Sequence, residues 1–379
     1  MRGSAFHFDW REASGALGDL GTLLPLMLGT IVVVGLAPKP VLIGFAIAYI
    51  ATALWYRLPV PVQPMKAVAA VALTVEMTAA SLAASGVMIG LVLLVLGTTG
   101  WIDKLARLVP QSLLAGLQLG LGIGLGWVAL QMMSSAPVLG ILLGGGLLLL
   151  LRFPRLPAAL SIVALALLAG QFFDVPRLSL PVDATGDFIA MSLPSIAEIQ
   201  QSFSLLVLPQ LALTLTNAVI LTALICGDYF GESARHVTPR RLSISSGLGN
   251  CLLTPLGALP MCHGAGGVAA HYRFGARSGG APLMLGGMLL LIAVLPAHAG
   301  LGLLAAIPLA GLGVLLMAAA IELAWSRRLV DCNPSCYPVI GVTAAATVLV
   351  NPFIALVCGT LAEILRRGVI RLWLMRADH

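Results

Sequence analysis

Residues Pro59–Val71, PVPVQPMKAVAAV, set a single lysine, Lys66, inside a long apolar chain, just after Pro59, Pro61 and Pro64 and just before an Ala/Val run. The prolines keep residues 58–64 extended, so a helix can begin only near Pro64, where a missing N–H costs nothing. A helix that begins inside a membrane points unpaired N–H groups and the positive end of its dipole at whatever lies in front of it. With a lysine in its first turn that end is an anion site; the competing reading is a lysine that snorkels to the interface.

The device recurs in the second half. Laying Ala69-Ala70 on Ala269-Ala270 matches Gln63 with His263, Lys66 with Gly266 and Val68 with Val268. Val109-Pro110 before Ala115-Gly116-Leu117 is echoed by Ile307-Pro308 before Ala310-Gly311-Leu312. Two copies of one unit follow, and paired interrupted apolar segments in corresponding halves point to a transporter's substrate site.

Composition agrees. The 379 residues are 59% hydrophobic and 9% charged, with a mean hydropathy of +1.02, which excludes a soluble globular class and predicts an all-α polytopic membrane protein. The net charge of +6 lies in short loops and does not imply nucleic acid. The first apolar run lacks the pattern of a cleavable signal peptide. The six cysteines sit in or beside apolar segments, so reduced thiols are expected rather than a disulfide framework or a metal site.

Apolar segments read at about 13–35, 40–56, 64–80, 84–100, 110–132, 137–151 and 156–173, then 203–226, 241–258, 263–274, 281–297, 302–325, 337–350 and 352–370. Seven plus seven predicts 14 transmembrane segments as an inverted repeat, because an odd number reverses the second copy. Segments 64–80 and 263–274 are short, as half-helices meeting at the midplane would be. The units are 1–175, an extracytoplasmic connector over 176–201 and 202–379, with no soluble regulatory domain. Residues 193–199 of the connector predict a short amphipathic surface helix. With the N-terminus inside, the basic residues crowd the cytoplasmic face, leaving Lys39 and Arg177 outside and Lys66 within. This positive-inside pattern predicts a multi-pass inner (plasma) membrane protein with both termini cytoplasmic.

Ionisable and polar groups within such spans are the candidate site. Asp19 lies in GALGDLGT (15–22), where Gly15, Gly18 and Gly21 share a face that admits a close neighbour. Its carboxylate could pair with Lys66, carry a coupling proton or cap a turn. His263 opens the second half-helix in PMCHGAGG (260–267), where Gly264, Gly266 and Gly267 allow close backbone approach to a ligand. Gln63, Thr22, Thr216 and Asn217 add polar groups in apolar spans, although a threonine there often bonds back to its own helix. Glu322 and Glu363 read as ion-pair partners of the arginines at 327–328 and 366–367, and Glu76 as an entrance or solvated residue.

Gly18-Asp19-Leu20-Gly21-Thr22, Pro61-Val62-Gln63-Pro64-Met65-Lys66, Leu213-Thr214-Leu215-Thr216-Asn217 and Pro260–Gly267 followed by Tyr272–Arg277 resemble the molybdate transporter family, distant kin of the sulfate permeases. The resemblance runs through both halves. It implies the seven-plus-seven inverted repeat with core and gate domains also seen in uracil permease, with substrate held between the half-helices. The chain departs from this kin in having no regulatory domain after the last helix. Asn217 also stands where many carriers of the fold have a glutamate, which shifts attention for proton coupling to Asp19.

The expected function is a secondary transporter, a symporter in the resemblance, importing a tetrahedral oxyanion by alternating access, molybdate first and sulfate or tungstate next. The alternatives are a sulfate or other anion transporter of the same fold and an anion channel. No nucleophile–base pair is apparent, so an enzyme is not expected, and no cofactor or metal is called for. A coupling proton or cation and a homodimer are the partners left open beside the oxyanion and the lipid bilayer.

Overall fold

The computed structural model describes residues 6–377 apart from 103, 105–109, 154–157, 179, 181–193 and 297–298; Val109 and Leu193 lie outside them. Every one of the fourteen apolar stretches carries a helix. In chain order these are α1 Trp10–Gly18 and α2 Leu20–Val34, α3 Pro38–Tyr56, α4 Lys66–Thr74, α5 Ala79–Thr99, α6 Gln111–Met133, α7 Pro137–Leu150 and α8 Ala158–Phe172. After the connector come a long helical run α9, Ile196–Ala234, then α10 Pro239–Leu253, α11 Ala265–Arg273, α12 Gly280–Val294, α13 Gly300–Ala305, α14 Leu309–Ala324, α15 Arg327–Val330, α16 Tyr337–Leu349 and α17 Pro352–Ala377. Among the described residues α3, α5, α6 and α9 are long and apolar enough to cross a membrane, and α1 with α2 would make a fifth.

Two differences from the sequence reading have local causes. The first apolar run is not straight: α1 and α2 meet at 44° across Asp19. Glycines at 15, 18 and 21 weaken the helix there, and Pro25 within α2 removes the bond that the carbonyl of Gly21 would accept. The surface helix expected near 193–199 is instead the first turn of α9. It is capped by Ser195 and Glu198, each bonding the other's backbone N–H, and Glu198 also accepts from the Thr78 hydroxyl at 2.6 Å.

The centre is a two-strand hairpin of distant segments. β1, Gln63–Pro64, and β2, Met261–Cys262, run antiparallel with Gln63 opposite Cys262 and Pro64 opposite Met261, extended by the Met65 N–H donating to the Pro260 carbonyl at 2.9 Å. From it leave α4 and α11, both nine residues long. They start one position off the sequence match, so Lys66 corresponds to Ala265 rather than Gly266. Around them α3 packs on α12 and α5 on α10, while α6 packs on α14, α16 and α17. α2 against α14 and α4 against α6 join the two groups.

Candidate functional site

Side chains from distant helices hold the hairpin. Asn250 of α10, fully buried, treats β2 as a neighbouring strand would: its Oδ1 accepts from the Met261 N–H at 2.9 Å and its Nδ2 donates to the Met261 carbonyl at 2.6 Å. Gln210 of α9 caps α4, its Oε1 accepting from the N–H groups of Ala67 (2.9 Å) and Val68 (3.3 Å). The α4 terminus is therefore already partly satisfied by the protein, and its anion-binding capacity rests on Lys66 more than on its backbone.

The α11 terminus differs. Its N-cap is Gly264, which has no side chain to cap the first turn, so those N–H groups face whatever approaches. Its glycines serve two ends. A Cβ on Gly264 would fall 2.4 Å from Oε1 of Gln63, and one on Gly267 would fall 2.6 Å from Pro61, so these two admit the partner strand rather than a ligand. Gly266 faces the carboxylate of Glu322, whose Oε1 would lie 2.9 Å from a Cβ there.

Lys66 and Glu322 meet on that side. Nζ donates to Oε1 at 2.7 Å, with the side chains 19% and 48% exposed. Glu322 thus pairs with Lys66, because the last turn of α14 faces the start of α4, while the guanidinium of Arg328 turns to Gln111 and Gln118. Glu363 does pair with Arg366 and Arg367 and also accepts from Ser112. The ion pair borders a vestibule of about 1000 Å³, lined also by Gln118, Asn217, Asp228, Asp331 and Arg328. Beyond it lies a recess of about 20 Å³ between the two half-helix starts, sharing Lys66, Gln118, Asn217 and Leu323 with the vestibule. Space of that size admits a water molecule and no tetrahedral oxyanion.

The remaining candidates divide. Gln63 and Gly264 line the recess, as does His263, but both ring nitrogens of the buried His263 are engaged. Nδ1 donates to the Pro61 carbonyl at 2.8 Å, so Nε2 is free to accept from the Ser245 hydroxyl at 2.7 Å, which in turn accepts from Tyr56. Asn217 lies on the π-helical turns Thr214–Leu221 of α9 and borders both cavities; such turns cluster at functional sites. Thr216 bonds back to the Ala212 carbonyl at 3.0 Å. Thr22 sits in the first turn of α2, its N–H donating to the Asp19 carbonyl, and lines neither cavity. Asp19 is buried behind the hairpin, accepting from the Tyr49 hydroxyl and the Gln63 amide rather than from Lys66.

Sequence reasoning missed Gln118, Asn250, Tyr49 and His271 and set Glu322 aside. A signal existed only for Asn250 and Gln118, polar side chains within apolar helices. Among the described residues no group of three or more His, Cys, Asp and Glu side chains could hold a metal ion, and all six cysteines are free thiols.

A family profile described as "Molybdate transporter of MFS superfamily" matches residues 11–125 and 202–323. Molybdate transporter 2 of Arabidopsis thaliana is 31% identical over 368 residues, covering 84% of this chain and 78% of the relative. Molybdate transporter 1 of Chlamydomonas reinhardtii is 29% identical over 431 residues, covering 83% of each. In fold, the chain is similar to the transmembrane domain of the cyanobacterial bicarbonate transporter BicA, with a TM-score of 0.66 at 17% identity over 93% of this chain and 98% of that one. It is also similar to the murine solute carrier 26 family member A9 anion transporter, with a TM-score of 0.70 at 12% identity over 96% of this chain and 68% of that one. With the profile matching in both halves and a relative aligned along most of its length, the chain belongs to the molybdate transporter family.

Proposed function

We propose that this chain is a secondary transporter that imports a tetrahedral oxyanion, molybdate first, by alternating access. The observation that carries the reading is Lys66: a cation at the start of a half-length helix, bordering both a wide vestibule and a small recess, beside the uncapped terminus of a second half-helix. A point charge and free backbone N–H groups suit an oxyanion of no fixed orientation. A neutral ligand would leave both unused. Relatives named as molybdate transporters supply the choice of oxyanion.

In this reading Lys66, the first turn of α11 at Gly266, Asn217 and Gln118 meet the anion, while Gln63, Gly264 and His263 shape the hairpin that presents it. Fourteen spans form two inverted units, 1–175 and 202–379, joined by the connector 176–201. The hairpin, α4 and α11 move with a core that includes α3, α5, α10 and α12, against a gate that includes α6, α14, α16 and α17. The sidedness of the basic residues puts both termini in the cytoplasm, so the vestibule, bordered by Arg328 and Asp331, opens inward.

The test is equilibrium binding of molybdate to the purified chain in detergent, with sulfate and uracil as competitors and Lys66→Ala alongside. The reading expects molybdate binding that uracil leaves untouched and that weakens about tenfold or more without the lysine charge. No binding, or binding indifferent to Lys66, overturns it.

A further inference from the structure

The carboxylate of Glu322 stands where the proposed substrate would have to be. One of its oxygens lies 2.7 Å from the Lys66 ammonium and also faces Gly266 in the first turn of α11. It therefore presents an anionic oxygen to the two groups that would bind an oxyanion, and it does so from α14, which packs on α6 in the other group of helices. The recess behind the pair holds no more than about 20 Å³, so the vestibule ends at this contact. An oxyanion entering from the vestibule reaches Lys66 only if Glu322 leaves it.

Charge decides what happens to Glu322 when it leaves. Lys66 and Glu322 cancel as they stand. A dianion bound to Lys66 next to an ionised Glu322 would crowd three negative charges against one cation, and like charges at such short range disfavour one another's ionised form. The other charged groups do not relieve this. Asp19 and Cys262 lie behind the hairpin from Lys66, the one a carboxyl group and the other a thiol, and neither supplies a positive charge. Asp228 and Asp331 border the same vestibule, while Arg328, also on its wall, is held by Gln111 at 2.7 Å. The helices packed on α14, namely α2, α6, α7 and α8, carry no ionisable side chain.

We propose that Glu322 is a resident anionic ligand of the oxyanion site and the binding site of a co-transported proton. The dianion displaces the carboxylate from Lys66, and the carboxylate takes one proton from a hydronium ion of the vestibule solvent as it leaves, so anion and proton load together. The exchange is balanced: one Lys66–carboxylate contact and one O–H bond of the hydronium ion break, one Lys66–oxyanion contact and one carboxyl O–H bond form, a water molecule is left, and no electrons move. It also gives the pair a part in the cycle, since the unliganded carrier is held shut on one side by its own side chain. The inference rests on the oxyanion reading above.

The experiment is calorimetric titration of molybdate into the purified full chain, in two buffers of different ionisation enthalpy and across the pH range in which molybdate stays a dianion. Wild type should take up one proton per anion bound and bind more tightly as pH falls. Glu322→Gln should take up none, lose the pH dependence and bind about fivefold more tightly or better at neutral pH, the ion pair no longer competing. Wild-type binding with no proton uptake overturns the inference alone, whatever the variant does, as does weaker binding by Glu322→Gln, which would make the carboxylate a direct support of the site. Absence of molybdate and sulfate binding in both proteins overturns the functional reading and this one with it.

Discussion

Asp19 and His271 face each other in full burial, Nε2 to Oδ2 3.9 Å apart, without a hydrogen bond. Nδ1 of His271 lies 2.7 Å from the Gly15 carbonyl, which can only accept, so Nδ1 is a donor there and Nε2 is the ring nitrogen turned toward the carboxylate. Asp19 is held instead by the Tyr49 hydroxyl and the Gln63 amide. That ties the bend between α1 and α2 to the strand that launches α4. Asp19→Asn would set an amide against two donors and leave one unpaired, at about 1–3 kcal/mol. The expected result is a lower melting temperature in detergent for Asp19→Asn, with a smaller drop for Tyr49→Phe, which keeps the Gln63 contact. Unchanged melting in both would remove Asp19 from the scaffold.

Two glycines on one helix start should behave oppositely. A methyl group on Gly264 would meet the Gln63 amide at 2.4 Å, and Gln63 is fixed by Asp19, so Gly264→Ala must push the strands apart at about 1–3 kcal/mol. A methyl group on Gly266 meets only the far end of the half-exposed Glu322 side chain, which can swing into the vestibule. Gly266→Ala should therefore fold normally while loosening the Lys66 pair. Thermal melts of the two variants side by side check the contrast, and equal destabilisation would refute it.

Gln210 bonds two of the first N–H groups of α4 through one oxygen and anchors its own amide on Thr214 at 2.8 Å. Gln210→Leu leaves both donors buried without a partner, at about 1–3 kcal/mol. Gln210→Glu supplies an acceptor with a charge, and since that charge would sit beside the proposed anion it should lower molybdate affinity while sparing stability. Melting and binding measured on both variants separate the two effects.

How much of this was legible depends on whether the cause is local. Pro64 and the Ala/Val run after it fix the start of α4 at Lys66 from neighbouring residues alone, and proline and glycine punctuation set apart the fourteen helical stretches. The bend at Asp19 has local causes in Gly15, Gly18, Gly21 and Pro25, but the apolar pattern runs on through it and hides them, and the role of the carboxylate was not legible because its partners come from α3 and β1. Glu322 misled for the same reason: its position before Arg327-Arg328 suggests a local pair, whereas its actual partner, Lys66, is brought to it only by the packing of α4 near the last turn of α14. Gln210 and His263 are polar residues in apolar stretches, and sequence alone cannot tell a side chain that binds a ligand from one that satisfies the backbone of a distant segment.

Arg328 supplies a case in which rate and affinity should part. Its Nε donates to Gln111 at 2.7 Å and Nη1 reaches toward Gln118 at 3.5 Å, so the guanidinium is fixed on the vestibule wall while the Lys66 ion pair lies elsewhere on that wall. A cation on the low-dielectric wall of a cleft raises the local concentration of anions and speeds their arrival, and salt screens that effect. Arg328→Gln should slow anion association from the vestibule side about three- to tenfold at low ionic strength, with the difference shrinking as salt is added. Equilibrium affinity should change less, since Lys66 and the α11 terminus are untouched. Arg328→Lys should recover the rate through its charge, even though it lacks the fork that bonds the two glutamines. Stopped-flow association measured at two salt concentrations decides the point: a loss that is the same at both, or that appears only in affinity, would make Arg328 a structural brace.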